Sequence, residues 1–526
     1  MSHSKTNLPL VIVGLMLGML LSALDQTIMA TAMPTVVEDL GGFTYYSWVF
    51  SIYMLTSTTS MPIFGKLADL YGRKRMYMIG MGLFILGSAL SGLSQNMTEL
   101  IVFRGIQGLG AGALMPLAIT IIGDVVSLEQ RGKMQGMFGG VMTIASIIGP
   151  AIGGLFVDHL SWHWVFYINL PFGIAAMVIL GIALRENVSK KKRSIDWLGA
   201  ITLSGSIISI LLALVLGGNT ESPGTHYAWG SGQIIGLFAI GAVLLAAFLW
   251  IQTKVKEPLI PLHLFRKRTI AVASLVGFFS TVGLFGAITY IPLFVQGVIG
   301  VKASIAGYIL TPMMLAVVFT AVVGGRFLNR FSYRAFILTG MILMAAGFAL
   351  FATMDVETTN LQVSLYMVLA GLGMGLIMPT LNTAVIGAVG PEQRGIVSSL
   401  PQFFRSIGGT IGVSIMGVVM TNRLTAEMPS VAGKFAGVPA DQLKAFLNPQ
   451  ALLDKAARAK IPADLLLELQ KAFSHGVTGV FLTGIIAIAI GFACSLFMGG
   501  DRMLKQSAGQ PEEKGTAAAG SASAMH

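Results

Sequence analysis

Apolar residues along this chain neither alternate nor mark a single helical stripe. They run on in long stretches broken by short polar or glycine-rich loops. Such stretches occupy 8–33, 45–65, 76–95, 98–122, 134–157, 164–184, 196–217 and 232–253, then 269–293, 303–327, 335–354, 361–386, 397–421 and 476–499. At 1.5 Å per residue, a helix needs about 20 apolar residues to cross about 30 Å of hydrocarbon. The pattern therefore predicts an all-α integral membrane protein with fourteen spans, since barrel strands would show a two-residue alternation instead. The first stretch is too long for a cleaved signal peptide, contains Asp25 and ends at Met33-Pro34 without a small-residue cleavage site. One long segment, 422–475, breaks the rhythm. Around 462–473 the residues Leu465, Leu466, Leu469 and Phe473 share a helical face, which predicts an amphipathic helix lying as a cap on the outer surface. The tail, 506–526, is Ala/Gly/Ser-rich and reads as disordered.

Composition narrows the class. Of 526 residues, 54% are hydrophobic and 11% charged, with a mean hydropathy of +0.78, against about 25% charged residues in soluble domains. A soluble enzyme, a disordered chain and a disulfide scaffold are excluded, the last because Cys494 is the single cysteine. The net charge of +11 would suit nucleic acid on a soluble surface, but here the basic residues gather in alternate loops. One side holds Lys66/Arg73/Lys74/Arg75, Arg131/Lys133, Arg185/Lys190/Lys191/Lys192/Arg193, Lys254/Lys256/Arg266/Lys267/Arg268 and Arg326/Arg330/Arg334, while the short loops of the other hold Lys302 alone. The basic-rich side is therefore expected to be cytoplasmic, with both termini there. There is no phosphate-loop motif, no His/Cys cluster with metal-ligand spacing and no catalytic carboxylate pair. The expectation is a non-enzyme without metal or cofactor, functional as a monomer. Its remaining energy source is an ion gradient, worth about 2.3 kcal/mol per charge per 100 mV.

The chain repeats itself. Residues 108–132 read GLGAGALMPLAITIIGDVVSLEQRG and residues 371–395 read GLGMGLIMPTLNTAVIGAVGPEQRG, with twelve of twenty-five positions identical at a spacing of 371 − 108 = 263 residues. Six spans fill about the first 190 residues, so the surplus matches the two spans at 196–253. The expected organisation is an N-terminal six-helix half at 1–190, two inserted helices at 191–260 and a C-terminal six-helix half at 261–505 that carries the 422–475 loop. Two parallel halves around a midplane cavity is the architecture of a rocking secondary transporter.

Four motifs in order carry a family resemblance. Span 1 holds Leu24-Asp25-Gln26-Thr27-Ile28, and the loop after span 2 holds Gly65-Lys66-Leu67-Ala68-Asp69-Leu70-Tyr71-Gly72-Arg73-Lys74-Arg75. Span 4 holds Arg104-Gly105-Ile106-Gln107-Gly108-Leu109-Gly110, and span 5 holds Gly149-Pro150-Ala151-Ile152-Gly153-Gly154. With these, and with Trp164-Val165-Phe166-Tyr167-Ile168-Asn169-Leu170-Pro171 and Asp196-Trp197-Leu198-Gly199, the chain resembles the major facilitator superfamily, specifically its fourteen-span drug:proton antiporter branch. The resemblance covers nearly the whole chain apart from 422–475 and the tail. It implies the major facilitator fold and export of lipophilic, often aromatic and cationic drugs in exchange for protons, from the cytoplasm or inner leaflet of a bacterial cell membrane. The implied partners are small lipophilic molecules, protons and membrane lipids, with no nucleic acid. A dedicated exporter of one natural product or lipid would share every motif. A non-transporting receptor is a poorer fit because it has no use for Asp25.

Each motif has a physical reading. Asp25 is the only acid placed well inside a span, where a carboxylate is expensive and marks function. It lies about 24 Å along the helix from Pro9, and Arg104 lies about 9 Å in from Thr98 on the opposite side. The two therefore sit at comparable depth and could meet as a proton-coupling pair. The alternative leaves Arg104 on backbone carbonyls and Asp25 facing a water pocket. Gly65, Asp69, Gly72, Arg73 and Arg75, with Asp124 at the foot of span 4, form a candidate cytoplasmic gating latch. Its glycines permit close approach and a tight turn, and Asp69 faces a helix N-terminus. Lys74 reads as a topology signal alone. Gly149, Pro150, Gly153 and Gly154 read as a bent, closely packed helix. In the resembling family this motif accompanies export, and a packing seam without directional meaning is the alternative. Gln26, Gln107, Tyr290, Gln296 and Asn382 are the candidate cavity-lining residues. No second acid lies deep in spans 9 to 14, which favours monovalent, zwitterionic or neutral substrates.

Overall fold

The computed structural model describes residues 7–126, 128–184, 196–217, 227–255, 258–327, 330–389, 394–435, 442–443, 446–453 and 455–499; the tail expected to be disordered lies outside them. The long helices are α1 (Leu8–Leu40), α2 (Tyr46–Tyr71), α3 (Arg73–Ser91), α4 (Met97–Val125), α5 (Leu128–His159), α6 (Asn169–Ala183), α7 (Trp197–Leu216), α8 (Gly232–Lys254), α9 (Arg268–Phe294), α10 (Ala303–Phe327), α11 (Tyr333–Phe351), α12 (Asn360–Gly387), α13 (Arg394–Lys434) and α14 (Ala463–Ser495). Among the described residues there is no strand, and twelve helices are long and apolar enough to cross a membrane. The polar run of α2 at 56–60 and the Arg73-Lys74-Arg75 opening of α3 keep those two outside the twelve.

Polar breaks in the apolar pattern act as helix starts. Asn96 Oδ1 accepts from the Glu99 N–H at 2.9 Å ahead of α4, and Asp196 Oδ1 accepts from the Gly199 N–H at 2.7 Å ahead of α7. Thr359 and Gln362 form a capping box ahead of α12. The ends differ from expectation where helix and apolar stretch are different things. α1 runs on through Pro34 to Leu40, and α13 continues past its apolar stretch to Lys434. The amphipathic stretch at 462–473 is no separate surface cap, because α14 begins at Ala463 and is continuous with the last span. Leu465, Leu469 and Phe473 are buried as the face predicts, but against the neighbouring end of α9, where Gly297 leaves room for the Phe473 ring. An apolar count measures the stretch facing hydrocarbon, whereas a helix continues for as long as its backbone bonds are met.

The repeat is visible in the packing. α1 packs on α5 and α6, α2 on α4, and α3 on α4; in the same order α9 packs on α13 and α14, α10 on α12, and α11 on α12. A Cβ on Gly110 would meet Gly80 O at 2.4 Å, and one on Gly373 would meet Gly340 O at the same 2.4 Å. Likewise Gly112 abuts Ser57 O and Gly375 abuts Val317 O, each at 2.2 Å. Backbones this close need glycine on one side, so the duplicated glycines are where each half holds itself together.

The halves meet through α5 on α10, α2 on α13, and α1 on α9. Their apolar cores show where. One buried cluster joins Ile28–Val37-level residues of α1, with Val49 and Phe50 of α2, to α9, α10 and α13. A second, built from Val11, Leu15, Met19, Met76, Met81 and Leu117 among others, has all its buried members in the N-terminal half, with Phe285 of α9 packed against it from the other. The halves are thus fused toward the face whose short loops are poor in Lys and Arg, and hold separate cores toward the basic-rich face.

The inserted helices α7 and α8 pack on each other, and α7 rests on α2 and α13. Their basic-rich ends are tied by Asp196, whose Oδ2 accepts from Gln252 Nε2 at 2.5 Å while Gln252 Oε1 accepts from the Ile260 N–H at 3.0 Å. Asp196→Ala removes a helix cap worth about 1 kcal/mol and strands a buried amide, so thermal unfolding in detergent should shift down by a few degrees. An unchanged midpoint would show that this tie is dispensable.

Candidate functional site

The two charges that depth arithmetic placed together are in contact. Asp25 of α1 and Arg104 of α4 are 0% and 1% exposed, and Arg104 Nη1 donates to Asp25 Oδ2 at 2.5 Å. Gln107, one turn beyond Arg104, donates from Nε2 to Asp25 Oδ1 at 2.7 Å and accepts from Arg104 Nη1 at 2.9 Å. The cluster reaches α6 as well. Asn169 Nδ2 lies 3.4 Å from Asp25 Oδ1 and 3.0 Å from Ser88 Oγ of α3. On its other side the guanidinium lies 4.1 Å from the centre of the Tyr53 ring. Neither alternative for these charges holds here: Arg104 is not bonded to backbone carbonyls and Asp25 faces the pair.

This arrangement satisfies the carboxylate from three directions, as a buried charge requires. It also reassigns Gln107, expected in the substrate cavity, to the charge cluster. Asn169 was legible only as part of a motif at the start of span 6, and nothing in its spacing announced a link to Asp25. Gln26, the next residue along α1, points elsewhere. With Phe50, Tyr53, Met54 and Arg104 it lines a void of about 10 Å³, closed from the C-terminal half by Phe285, Ile288 and Thr289; this is about the room one water needs. Consecutive residues of α1 thus face the charge cluster and the other half.

The remaining cavity candidates lie in or away from the joint between the halves. Tyr290 is buried, its hydroxyl donating to Val413 O at 3.3 Å, and Gln296 Nε2 donates to Thr31 O at 3.2 Å. Beside them Tyr46 donates to Thr289 O at 2.8 Å, and the hydroxyls of Ser51 and Ser414 lie 2.8 Å apart. Asn382 is exposed on α12 and is not among the residues around the void.

The glycine-proline motif of α5 lies in the same joint. A Cβ on Gly149 would sit 2.0 Å from Thr27 Oγ1, and one on Gly153 would sit 2.3 Å from Thr31 Oγ1. Those hydroxyls bond across the seam, Thr27 to Ala145 O at 3.2 Å and Thr31 to Pro150 O at 3.3 Å. Gly154 faces the other half, where its Cβ would lie 2.2 Å from Ser304 Cα, and Gly307 returns the contact at Pro150 O. The Ser304 N–H donates to Asp158 Oδ2 at 3.0 Å. One motif therefore packs α5 against α1 within its half and against α10 across the halves.

The latch is only partly described. Gly72 has φ +98° and makes the turn between α2 and α3. At Gly65 a Cβ would meet nothing within 4 Å among the described residues. Arg75 is exposed and Arg73 half-buried, while the side chains of Asp69 and Asp124 lie outside the described residues. Lys74 is more than a topology signal. Its Nζ donates to Gly181 O at 2.7 Å and Leu184 O at 2.6 Å, capping the C-terminal carbonyls of α6.

Comparison with known proteins bears on the family and the fold. The Major Facilitator Superfamily matches residues 15–413. The chain is 43% identical to the multidrug transporter protein MdtP of Bacillus subtilis, over 98% of both chains, and 40% identical to multidrug resistance protein 3 of the same organism, over 94% of this chain and 95% of the other. Among solved structures, a bacterial homologue of the human lysosomal transporter Spinster superposes with a TM-score of 0.64 at 17% identity, covering 96% of this chain and 99% of that one. A peptide transporter of the POT family follows at 0.62 and 14%, covering 97% and 99%.

Two outcomes test the geometry. Arg104→Ala leaves a buried carboxylate unpaired and should cost about 3–5 kcal/mol, whereas adding Asp25→Ala should recover part of that loss. Purely additive losses in a double-mutant cycle would dissolve the pair. Gly154→Leu should wedge α5 from α10 and raise labelling of a Ser414→Cys reporter by a membrane-impermeant maleimide severalfold, and an unchanged labelling rate would remove Gly154 from the joint.

Proposed function

The chain belongs to the Major Facilitator Superfamily, and on that premise we propose that it is a proton-coupled antiporter, exporting lipophilic small molecules across a bacterial cytoplasmic membrane by alternating access. It is a carrier and not an enzyme, driven by the proton gradient without a bound cofactor, and both termini are cytoplasmic. What supports this reading above all is the Asp25–Arg104–Gln107 cluster, a deep carboxylate held by a cation and two amides. The two Bacillus relatives carry multidrug names, which favours a broad range of lipophilic substrates.

The mechanism follows from what a proton does to that cluster. A charged Asp25 holds Arg104, and through Asn169 it also ties α1 to α6. A proton on the carboxyl removes the attraction that offsets the burial of Arg104, so the pair loosens and α1 is freed from α4. Since α1 also packs on α9, a change at Asp25 reaches the other half through the adjacent Gln26 and the void it lines. With the basic-rich face cytoplasmic, the arrangement described is inward-facing: fused on the outer side, with separate cores on the inner. Substrate entering between those cores meets a bundle whose proton has left, and reprotonation from outside resets it.

The experiment is substrate efflux from proteoliposomes under an imposed pH gradient, wild type beside Asp25→Asn. Gradient-driven transport of dyes should fall at least roughly tenfold in the variant, as expected when the intramembrane titratable group is lost. Substrate exchange without a gradient should persist. Gradient-driven transport that survives the substitution overturns the coupling role of Asp25.

A further inference from the structure

A second arginine lies inside the bundle, and among the described residues it has no acid. Arg405 of α13 sits eleven residues beyond Arg394, about 16 Å along the helix, within the apolar stretch 397–421. Its guanidinium finds only neutral partners among the described residues. Nη1 lies 2.7 Å from Met378 Sδ of α12, and Nη2 bonds Gln402 Oε1 one turn earlier on α13. No carboxylate is in ion-pair range of it among the described residues. A guanidinium has five N–H donors, and a thioether is a weak acceptor. Set beside Arg104, which has its aspartate, this is a charge left uncompensated at membrane depth, where such groups otherwise pair or mark a ligand path.

Its placement says what it packs against. The stem packs over Gly277 of α9, where a Cβ would lie 3.3 Å from Arg405 Cγ, and the head reaches α12 at Met378. The residue is half-buried. One turn farther along α13, Gly409 meets Met54 Cε and the Phe285 ring, two of the side chains that close the void beside Gln26 and Arg104. Arg405 therefore stands one turn below the place where the two halves come together, on the side where their cores are separate. The repeat gives it no counterpart, since 405 − 263 = 142 is a methionine.

We propose that Arg405 is a substrate-recognition residue of the C-terminal half, binding the carboxylate of an amphiphilic aromatic substrate through its guanidinium fork. The inference rests on the exporter reading for the word substrate, but its chemistry stands apart from proton coupling. A carboxylate supplies the charge that Met378 and Gln402 lack, bonds in the bidentate manner that suits arginine, and leaves the apolar body of the ligand among Met and Phe side chains. It also gives the two halves distinct tasks: the proton site is built into the N-terminal half, and the anion site into the other.

The test is equilibrium binding, which needs no gradient and so fails independently of the coupling role of Asp25. Purified protein in phosphatidylcholine nanodiscs is titrated with dansylglycine and with dansylglycinamide, its neutral counterpart of the same shape. Wild type should bind the acid roughly tenfold more tightly than the amide, a typical yield for charge-assisted bonds. Arg405→Gln should abolish that preference with the amide affinity unchanged, and Arg405→Lys, which keeps charge without the fork, should retain part of it. The ratio within one preparation is insensitive to partial unfolding. Equal affinities in the wild type, or a preference that survives in Arg405→Gln, overturns the assignment. Loss of the preference when phosphatidylglycerol is added to the wild-type discs overturns it in favour of a lipid phosphate.

Discussion

A carboxylate in the middle of an apolar bundle has no water to lean on, and the rest of this structure is arranged around that fact. Asp25 is held by donors from α4 and α6, and Asn169 links it onward to Ser88 of α3. Four of the six helices of the N-terminal half therefore converge on one charge. Removing any donor exposes the cost of burying the carboxylate, and removing the carboxylate exposes the cost of burying Arg104. The proposed coupling role draws on this mutual dependence, since a change in the charge of either partner removes what offsets the burial of the other.

The scaffold around this chemistry is symmetric, and the chemistry is not. Gly80, Gly110 and Ser57 have counterparts in Gly340, Gly373 and Val317 that make the same backbone approaches. Yet the repeat puts Met367 where Arg104 stands and Ala370 where Gln107 stands, so the C-terminal half has the frame of the buried charge cluster without its charges. Gly347 still approaches the Ala370 backbone as Gly87 approaches that of Gln107. Packing constraints survive duplication because both halves must close on themselves, whereas a second buried ion pair would add a desolvation cost with no task to offset it.

These two kinds of constraint explain what could be read from the sequence. Span positions were legible because hydrocarbon dictates a long apolar stretch, and the meeting of Asp25 and Arg104 was legible because helix rise converts residue counts into depth. Lateral direction was not legible. Depth alone cannot say that Gln107 turns toward Asp25 while Gln26 turns toward the other half, or that Tyr290 and Gln296 lie in the joint between halves. The continuity of α14 was hidden because an amphipathic face looks the same whether the helix lies on a membrane or enters it. Arg405 gives no such signal, because depth arithmetic pairs opposite charges and its partners, Met378 and Gln402, are neutral.

The joint between the halves shows how such a bundle can open without losing its fold. Contacts within each half run along whole helices, glycine against backbone, and nothing there can separate without strain. Contacts between the halves combine glycine approaches at Gly154 and Gly307 and a shared apolar cluster with isolated hydrogen bonds. Gly154 against Ser304, the hydroxyls of Ser51 and Ser414, and Gln296 on the Thr31 carbonyl all lie toward the basic-poor face. The Ser51–Ser414 and Gln296–Thr31 hydrogen bonds are worth about 0.5–1.5 kcal/mol each, and water entering the cleft replaces them. The buried area within each half has no such substitute. A lever between two rigid bodies therefore has its weak side where the small polar residues are, and α1 is the helix that touches both the lever and the charge.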